Sequence, residues 1–136
     1  MDQLDHQLDI IRSLEEKQAS GMTCYMLACK YIARLGMTEV EAYQKMGIKR
    51  QRWSDFRTKD KLPHNDLLRL CLVLQLDINL TYYLMAFAKD TLYIYEITDA
   101  IVKECIRQKI YEPAEVNHMF TQRGLEGLFK DDGIKE

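Results

Sequence analysis

The chain has little of what a disulfide scaffold, a metal centre or a membrane span requires. Four cysteines occur in 136 residues. Cys24 and Cys29 fall five apart on a predicted helix, which points them to different sides of it. No second pair answers them, because His6, His64 and His118 are scattered. Cys24, Cys29, Cys71 and Cys105 therefore read as small apolar residues of helix faces in a reducing compartment. No apolar run approaches the roughly 20 residues of a transmembrane helix. The acidic start MDQLDHQLD is unlike a secretory signal or a transit peptide, so a soluble cytoplasmic protein with no membrane partner is expected. Repeats, a glycine-rich phosphate loop and low-complexity segments are also missing. Glu112, Glu115 and His118 lie close together, but no nucleophile or metal partner stands at a meaningful spacing. No catalytic residue, cofactor or metal ligand is assigned.

What is present is helical. Hydrophobic content of 47% with six Gly and two Pro favours a helical globule over a disordered chain. A first helix from Asp2 to Lys17 carries the narrow stripe Leu4, Leu8, Ile11, Leu14, which can pack on the body or on a second copy. Ala19-Ser20-Gly21 breaks it. A second helix from Met22 or Thr23 to Leu35 places Tyr25, Ala28, Cys29 and Ile32 on a buried face, and Gly36 stops it. Residues 38–61 then read as two short helices on either side of Gly47. Thr38 caps the first, with Val40, Tyr43 and Met46 three apart on its apolar face. Ile48 plugs the turn, and the second helix, from about Arg50, carries Trp53 and Phe56 inward. That layout is a helix-turn-helix, a unit that lays its second helix in the DNA major groove.

Pro63 with His64 or Asn65 starts the next helix. Leu67, Leu68, Leu70, Cys71, Leu72 and Leu74 make it apolar nearly all round, hence central and buried. A short helix follows with Asn79 as cap and Leu80, Tyr83, Leu84 and Phe87 facing in. The alternation LCLVLQLDINL is not read as a strand, because Asp, Asn and Gln are poor strand formers and no pairing partner is near. Thr91 is expected to cap a long helix, LYIYEITDAIVKECIRQ, with Ile94, Ile97, Ile101 and Cys105 on its apolar face. Pro113 sits in the first turn of a last helix, where it is tolerated. Val116, Met119 and Phe120 face inward there, Gly124 closes the helix, and the polar tail KDDGIKE frays. The tyrosines Tyr82, Tyr83, Tyr93 and Tyr95 read as a core-and-interface set.

Charge is distributed unevenly. The chain is net −2, yet Lys49 to Lys61 holds six cations against Asp55 and Asp60; this segment is net +4 and the remainder net −6. A local cationic stripe suits phosphates, since screening makes nearby charge dominate over the total. Arg can bond guanine O6/N7 through two parallel hydrogen bonds, and Gln can do the same for adenine N6/N7. Arg50, Gln51 and Arg52 supply three such side chains in a row. Asp55 either accepts from cytosine N4 or pairs with Lys59 four residues on. The alternative is a solvated helix whose cations only confer solubility.

Residues 22–86 resemble the lambda-repressor-like (Cro-like, xenobiotic-response-element) helix-turn-helix domain. The likeness is carried by MTEVEAYQKMGIKRQRWSDFRTKDKLP and LLRLCLVLQLDINLTYYLM. It extends through KIYEPAEVNHMFTQRGLEGLF, which is similar to the C-terminal helical pair of a group of bacterial regulator-like proteins, on Tyr111, Glu112, Glu115, Val116 and Asn117. The resemblance implies an all-α fold in which a five-helix domain (21–88) is flanked by an N-terminal helix (1–20), a C-terminal helical pair (89–129) and a short tail (130–136). It implies transcriptional control through duplex DNA, often as a homodimer. Arg50, Gln51, Arg52 and Asp55 would face bases, and Lys49, Arg57, Lys59 and Lys61 would hold phosphates. Two positions depart from the family. Tyr43 stands where a small residue is usual, which predicts an opened or shifted helix crossing. Glu39 stands where a neutral or basic phosphate-contacting residue is common, and a carboxylate facing phosphate costs affinity. Both leave open a protein-interaction adaptor or inhibitor, phage-defence or toxin-linked, that keeps the scaffold without binding DNA.

Overall fold

The periodicity resolves into helices throughout the computed structural model, which describes residues 2–130. Among the described residues there are eight helices and no strand: α1 (Gln3–Ala19), α2 (Cys24–Arg34), α3 (Glu39–Met46), α4 (Arg50–Lys59), α5 (His64–Val73), α6 (Ile78–Phe87), α7 (Ile97–Gln108) and α8 (Pro113–Thr121). The protein is all-α. None of these helices is long and apolar enough to cross a membrane. Residues 131–136, where fraying is expected, lie outside the described residues.

Local chemistry explains most boundaries. At the start of α3, Thr38 Oγ1 accepts from the Glu41 N–H at 3.1 Å while the Glu41 carboxylate accepts from the Thr38 N–H at 2.8 Å, a reciprocal capping box. Gly47 ends α3 in the left-handed region, φ 79°, where a side chain would be strained, and Ile48 is buried beyond it. Eight of the ten residues of α5 are buried, and α3, α6 and α7 pack around it. That is the central helix expected from its composition. Tyr25, Trp53 and Phe56 meet edge to face, with ring centroids 5.3–6.0 Å apart, and tie α2 to α4.

Several helix faces differ from the periodicity reading. The buried side of α2 is Cys24, Leu27, Ala28, Tyr31 and Ile32, while Tyr25 and Cys29 are half-buried at its flank. This helix is apolar over more than one face, so spacing alone left its rotation open. On α3 the inward residues are Ala42 and Met46, and Val40 is exposed. Ala42 is wholly buried, and Tyr43 lies to one side with its ring 6.1 Å from that of Trp53. Asp77, not Asn79, caps α6, accepting from the Leu80 N–H at 2.8 Å. Thr81, Leu84, Met85 and Phe87 form its buried side, with Leu80 and Tyr83 half-buried.

The largest departure is at residues 91–96, expected as the first turns of a long helix. They form an irregular turn, and α7 begins only at Ile97. Asp90 Oδ1 accepts from the Thr91 N–H at 2.8 Å and from the Tyr93 hydroxyl at 3.0 Å. The carboxylate of Asp99 accepts from the Tyr93 N–H at 2.7 Å. Side-chain acceptors thus hold the Thr91 and Tyr93 N–H groups in a non-helical turn. His64 completes the knot, bonding Asp90 through Nδ1 at 2.7 Å and Asp99 through Nε2 at 2.8 Å, with the Tyr93 ring stacked on it at 4.3 Å. In consequence Ile94 is 85% exposed and Ile97 also faces solvent, while Ile101 and Cys105 are buried as expected.

The chain ends are held differently. No residue of α1 is buried; Leu14 rests against the core, but Leu4 remains 61% exposed. At the other end, Asn117 grips the segment after α8: its Nδ2 donates to the Phe129 carbonyl at 2.9 Å and its Oδ1 accepts from the Phe129 N–H at 2.8 Å. Leu128 and Phe129 are buried by that clasp, and Tyr111 donates to the Leu76 carbonyl at 3.2 Å. The four cysteines are free thiols. Burial pushes Cys71 up to about 12 and Cys105 up to about 11, far from reactive thiolates.

Candidate nucleic-acid interface

The cationic stripe lies on α4 and the loop after it. Lys49, Arg50, Gln51, Arg52, Arg57, Lys59 and Lys61 are all exposed, and Asp55 is half-exposed among them. Lys49 occupies the N-cap of α4 and no side chain caps the helix there. The N–H groups of Arg50 and Gln51, which precede the first bond of the helix at Arg52, therefore keep their donor capacity at the positive end of the helix dipole, the features that bind anions at helix starts.

The carboxylates of this region are turned away or engaged. Asp60, at φ 52°, takes the left-handed conformation that Asp tolerates better than most residues. Its carboxylate accepts from the backbone N–H groups of Cys24 at 3.2 Å and Tyr25 at 2.9 Å. One negative charge thereby serves the start of α2 and anchors the basic loop. Glu39 Oε1 accepts from the Tyr25 hydroxyl at 2.6 Å and from Trp53 Nε1 at 2.8 Å. Burial alone would raise the Glu39 pKa, but these two bonds outweigh it and hold the carboxyl below its usual range. Burial and the same bond push the Tyr25 phenol up. Glu39 is therefore a brace among α2, α3 and α4.

The base-facing candidates are not equally free. Arg52 Nη1 donates to Asp66 Oδ2 at 2.8 Å, and the wholly buried Asp66 also pairs with Arg69. Arg69 Nε in turn donates to the Leu128 carbonyl at 2.6 Å. A line of polar contacts thus runs from α4 through α5 to the C-terminal segment. Gln51 donates to Asp55 at 3.2 Å, and Lys59 lies 3.9 Å from Asp55, the pairing expected from their spacing. Among the described residues Lys49, Arg50, Arg57 and Lys61 make no ion pair closer than 4.0 Å. Glu112, Glu115 and His118 are exposed on α8, and no cluster of potential metal ligands occurs among the described residues.

Sequence reasoning missed Glu39, Asp60, Asp66 and Arg69 as parts of this surface's support. Spacing could have flagged only Asp66 and Arg69, three apart and charged on a helix that is otherwise apolar from Leu67 to Val73. Neither a family model, nor a curated protein, nor a solved structure matches the chain.

Proposed function

We propose that the protein binds duplex DNA through a helix-turn-helix made by α3, the Gly47 turn and α4, in the manner of a lambda-repressor-like transcriptional regulator. The observation that carries this reading is a predominantly cationic surface, in which Asp55 is the one solvent-facing carboxylate of α4. Lys49, Arg50, Arg57, Lys59 and Lys61 face solvent while Glu39 and Asp60, the carboxylates that would repel phosphate, are bound inward. In this reading Arg50 and Gln51 reach base edges, Asp55 orients Gln51 or accepts from cytosine, and the lysines and Arg57 grip phosphates. Arg52 holds α4 to α5 through Asp66 and offers its remaining donors to the groove. The uncapped start of α4 favours a phosphate.

A titration with random-sequence duplex at several salt concentrations tests the reading. Wild-type affinity falls steeply with salt, and Lys59→Ala with Lys61→Ala lowers the slope of log K by about 0.9 per cation while weakening all sequences alike. Arg50→Ala costs roughly 1–3 kcal/mol at one base position and relaxes preference there. Absence of salt-dependent binding by the wild type transfers the proposal to a second reading, an adaptor or inhibitor acting on a protein. That reading draws on the exposed apolar residues of the 91–96 turn and on the net −6 of the chain outside the basic segment.

A further inference from the structure

α6, the 91–96 turn and α7 border an open groove of about 550 Å³. Its apolar walls are Ile78 and Tyr82 of α6, Leu92 and Ile94 of the turn, and Ala100 and Ile106 of α7. Leu92 and Ile106 are buried and form its inner surface, while Ile94 stands 85% exposed at its edge. α1 packs on α6 of the same chain, yet no residue of α1 lines the groove, so the N-terminal helix does not fill it. Size and lining are those of a small-molecule site. Such sites measure roughly 300–1,000 Å³ and set a few polar groups on a mainly apolar wall.

The charges around the groove select the class of ligand. Asp77, Asp99 and Glu104 stand against Lys103, Arg107 and Lys109, three of each sign, so the lining carries no net charge. The carboxylates are also committed: Asp77 caps α6, Asp99 accepts from the Tyr93 N–H and bonds His64, and Glu104 is bound by Arg107 and Gln108. Lys103 and Lys109 are exposed and keep their water. An ion seated among the apolar walls would lose its own water without gaining a fixed counter-charge, whereas an uncharged molecule has little to lose. One polar handle is open. The Tyr93 hydroxyl is taken by Asp90 at 3.0 Å, but that of Tyr82 makes no hydrogen bond among the described residues. Tyr82 therefore offers a donor beside an aromatic face.

We infer that the groove bordered by α6, the 91–96 turn and α7 binds an uncharged, mainly apolar small molecule, one with an aromatic ring system and a hydrogen-bond acceptor that Tyr82 meets. Leu92, Tyr93 and Ile94 belong both to the groove and to the turn, so the bound molecule holds residues 91–96 against the two helices. None of the cations of α4 lines this site, so its failure and that of the nucleic-acid reading are separable.

Fluorescence titration of the full chain with Nile red, an uncharged fused aromatic dye bearing a carbonyl acceptor, is the test. The wild type takes up one dye per chain, with a dissociation constant of about 10 μM or tighter. Ala100→Trp fills the groove from an exposed helix position and weakens binding by about tenfold or more. Ile94→Asp sets a charge on the wall at an exposed position and does the same, by about tenfold, with circular dichroism unchanged in both variants. Tyr82→Phe weakens binding about fivefold, the worth of one hydrogen bond. Amide exchange of residues 91–96 slows when the dye binds, and that of α4 does not change. Anilinonaphthalene sulfonate, similar in ring area but anionic, binds about tenfold more weakly than Nile red. Absence of saturable binding up to about 100 μM overturns the inference and leaves the groove to a macromolecular partner. So does binding that neither Ala100→Trp nor Ile94→Asp alters, and so does uptake of the anionic dye as tight as that of Nile red.

Discussion

Asp66 and Asp99 are both buried carboxylates, and both are joined to the first turn of α5, yet they are neutralised by different chemistry. Asp66 faces α4 and is held by two guanidinium groups, which stay charged at any pH the protein meets. Asp99 faces the 91–96 turn and is held by an imidazole and a backbone N–H. The basic face is thus pinned by permanent charge, and the groove face by a group that titrates. A pH-independent hold on the basic face and a pH-dependent hold on the 91–96 turn are expected from that choice of partner.

The strongest way to break the comparison is Asp66→Ala. It strands Arg69, itself buried, without its counter-charge and removes the hold on Arg52; a loss of about 3–5 kcal/mol in urea unfolding is expected. Asp99→Ala, by contrast, leaves Asp90 as a partner for His64 and costs less. Equal losses would erase the distinction.

Gly127→Ala sharpens the same point from the C-terminal side. A Cβ there would lie 2.5 Å from Asn117 Cγ, in a side chain already fixed by two bonds to Phe129. Displacing that clasp disturbs the Leu128 carbonyl that Arg69 uses, and a loss of about 1–3 kcal/mol is expected, read as a lowered melting temperature.

The smallest effect distinguishes the two faces by pH. Burial alone would lower the His64 pKa, but the bonds to Asp90 and Asp99 overcome it and raise the value above the ordinary imidazole range. Protonated His64 donates to both carboxylates; neutral His64 can donate to only one. Its contribution is fully present below the unfolded-state pKa of about 6.5 and is lost as pH rises through the higher folded value. Melting temperatures measured from about pH 6 to about pH 9 should decline for the wild type and decline less for His64→Gln. Amide exchange of residues 91–96 should quicken over the same range while that of α4 holds steady. An equal response of both regions would remove the contrast.

Features that depend on a few neighbouring residues were readable in the chain. Thr38 was legible as a cap, Gly47 as the residue that ends α3, and α5 as central because it is apolar nearly all round. Faces were less legible. Val40, Tyr43 and Met46 are three apart as a helix stripe requires, yet Ala42 and Met46 are the buried residues, because a short helix offers two overlapping stripes and its neighbours select one. Ile94 and Ile97 failed for a different reason. Their spacing is helical, but Asp90 and Asp99, joined through His64, accept from the Thr91 and Tyr93 N–H groups and hold the segment in a turn.

The candidate interface divides the same way. Its polar residues are close in sequence, on α4 and the positions flanking it, so composition and periodicity alone located Lys49, Arg50, Gln51, Arg52, Arg57, Lys59 and Lys61 on an exposed face. What happens to the carboxylates among them was decided by contacts with residues 14 to 36 positions away: Glu39 with Trp53, Arg52 with Asp66, Asp60 with Cys24. Helical character, the uneven charge and the central place of α5 were determined by the sequence, since propensity, capping and hydrophobic period act within a turn or two. Which charges face outward, where α7 begins and how much of α1 stays uncovered were decided only by the tertiary structure, because a buried carboxylate takes whichever donors the fold brings to it.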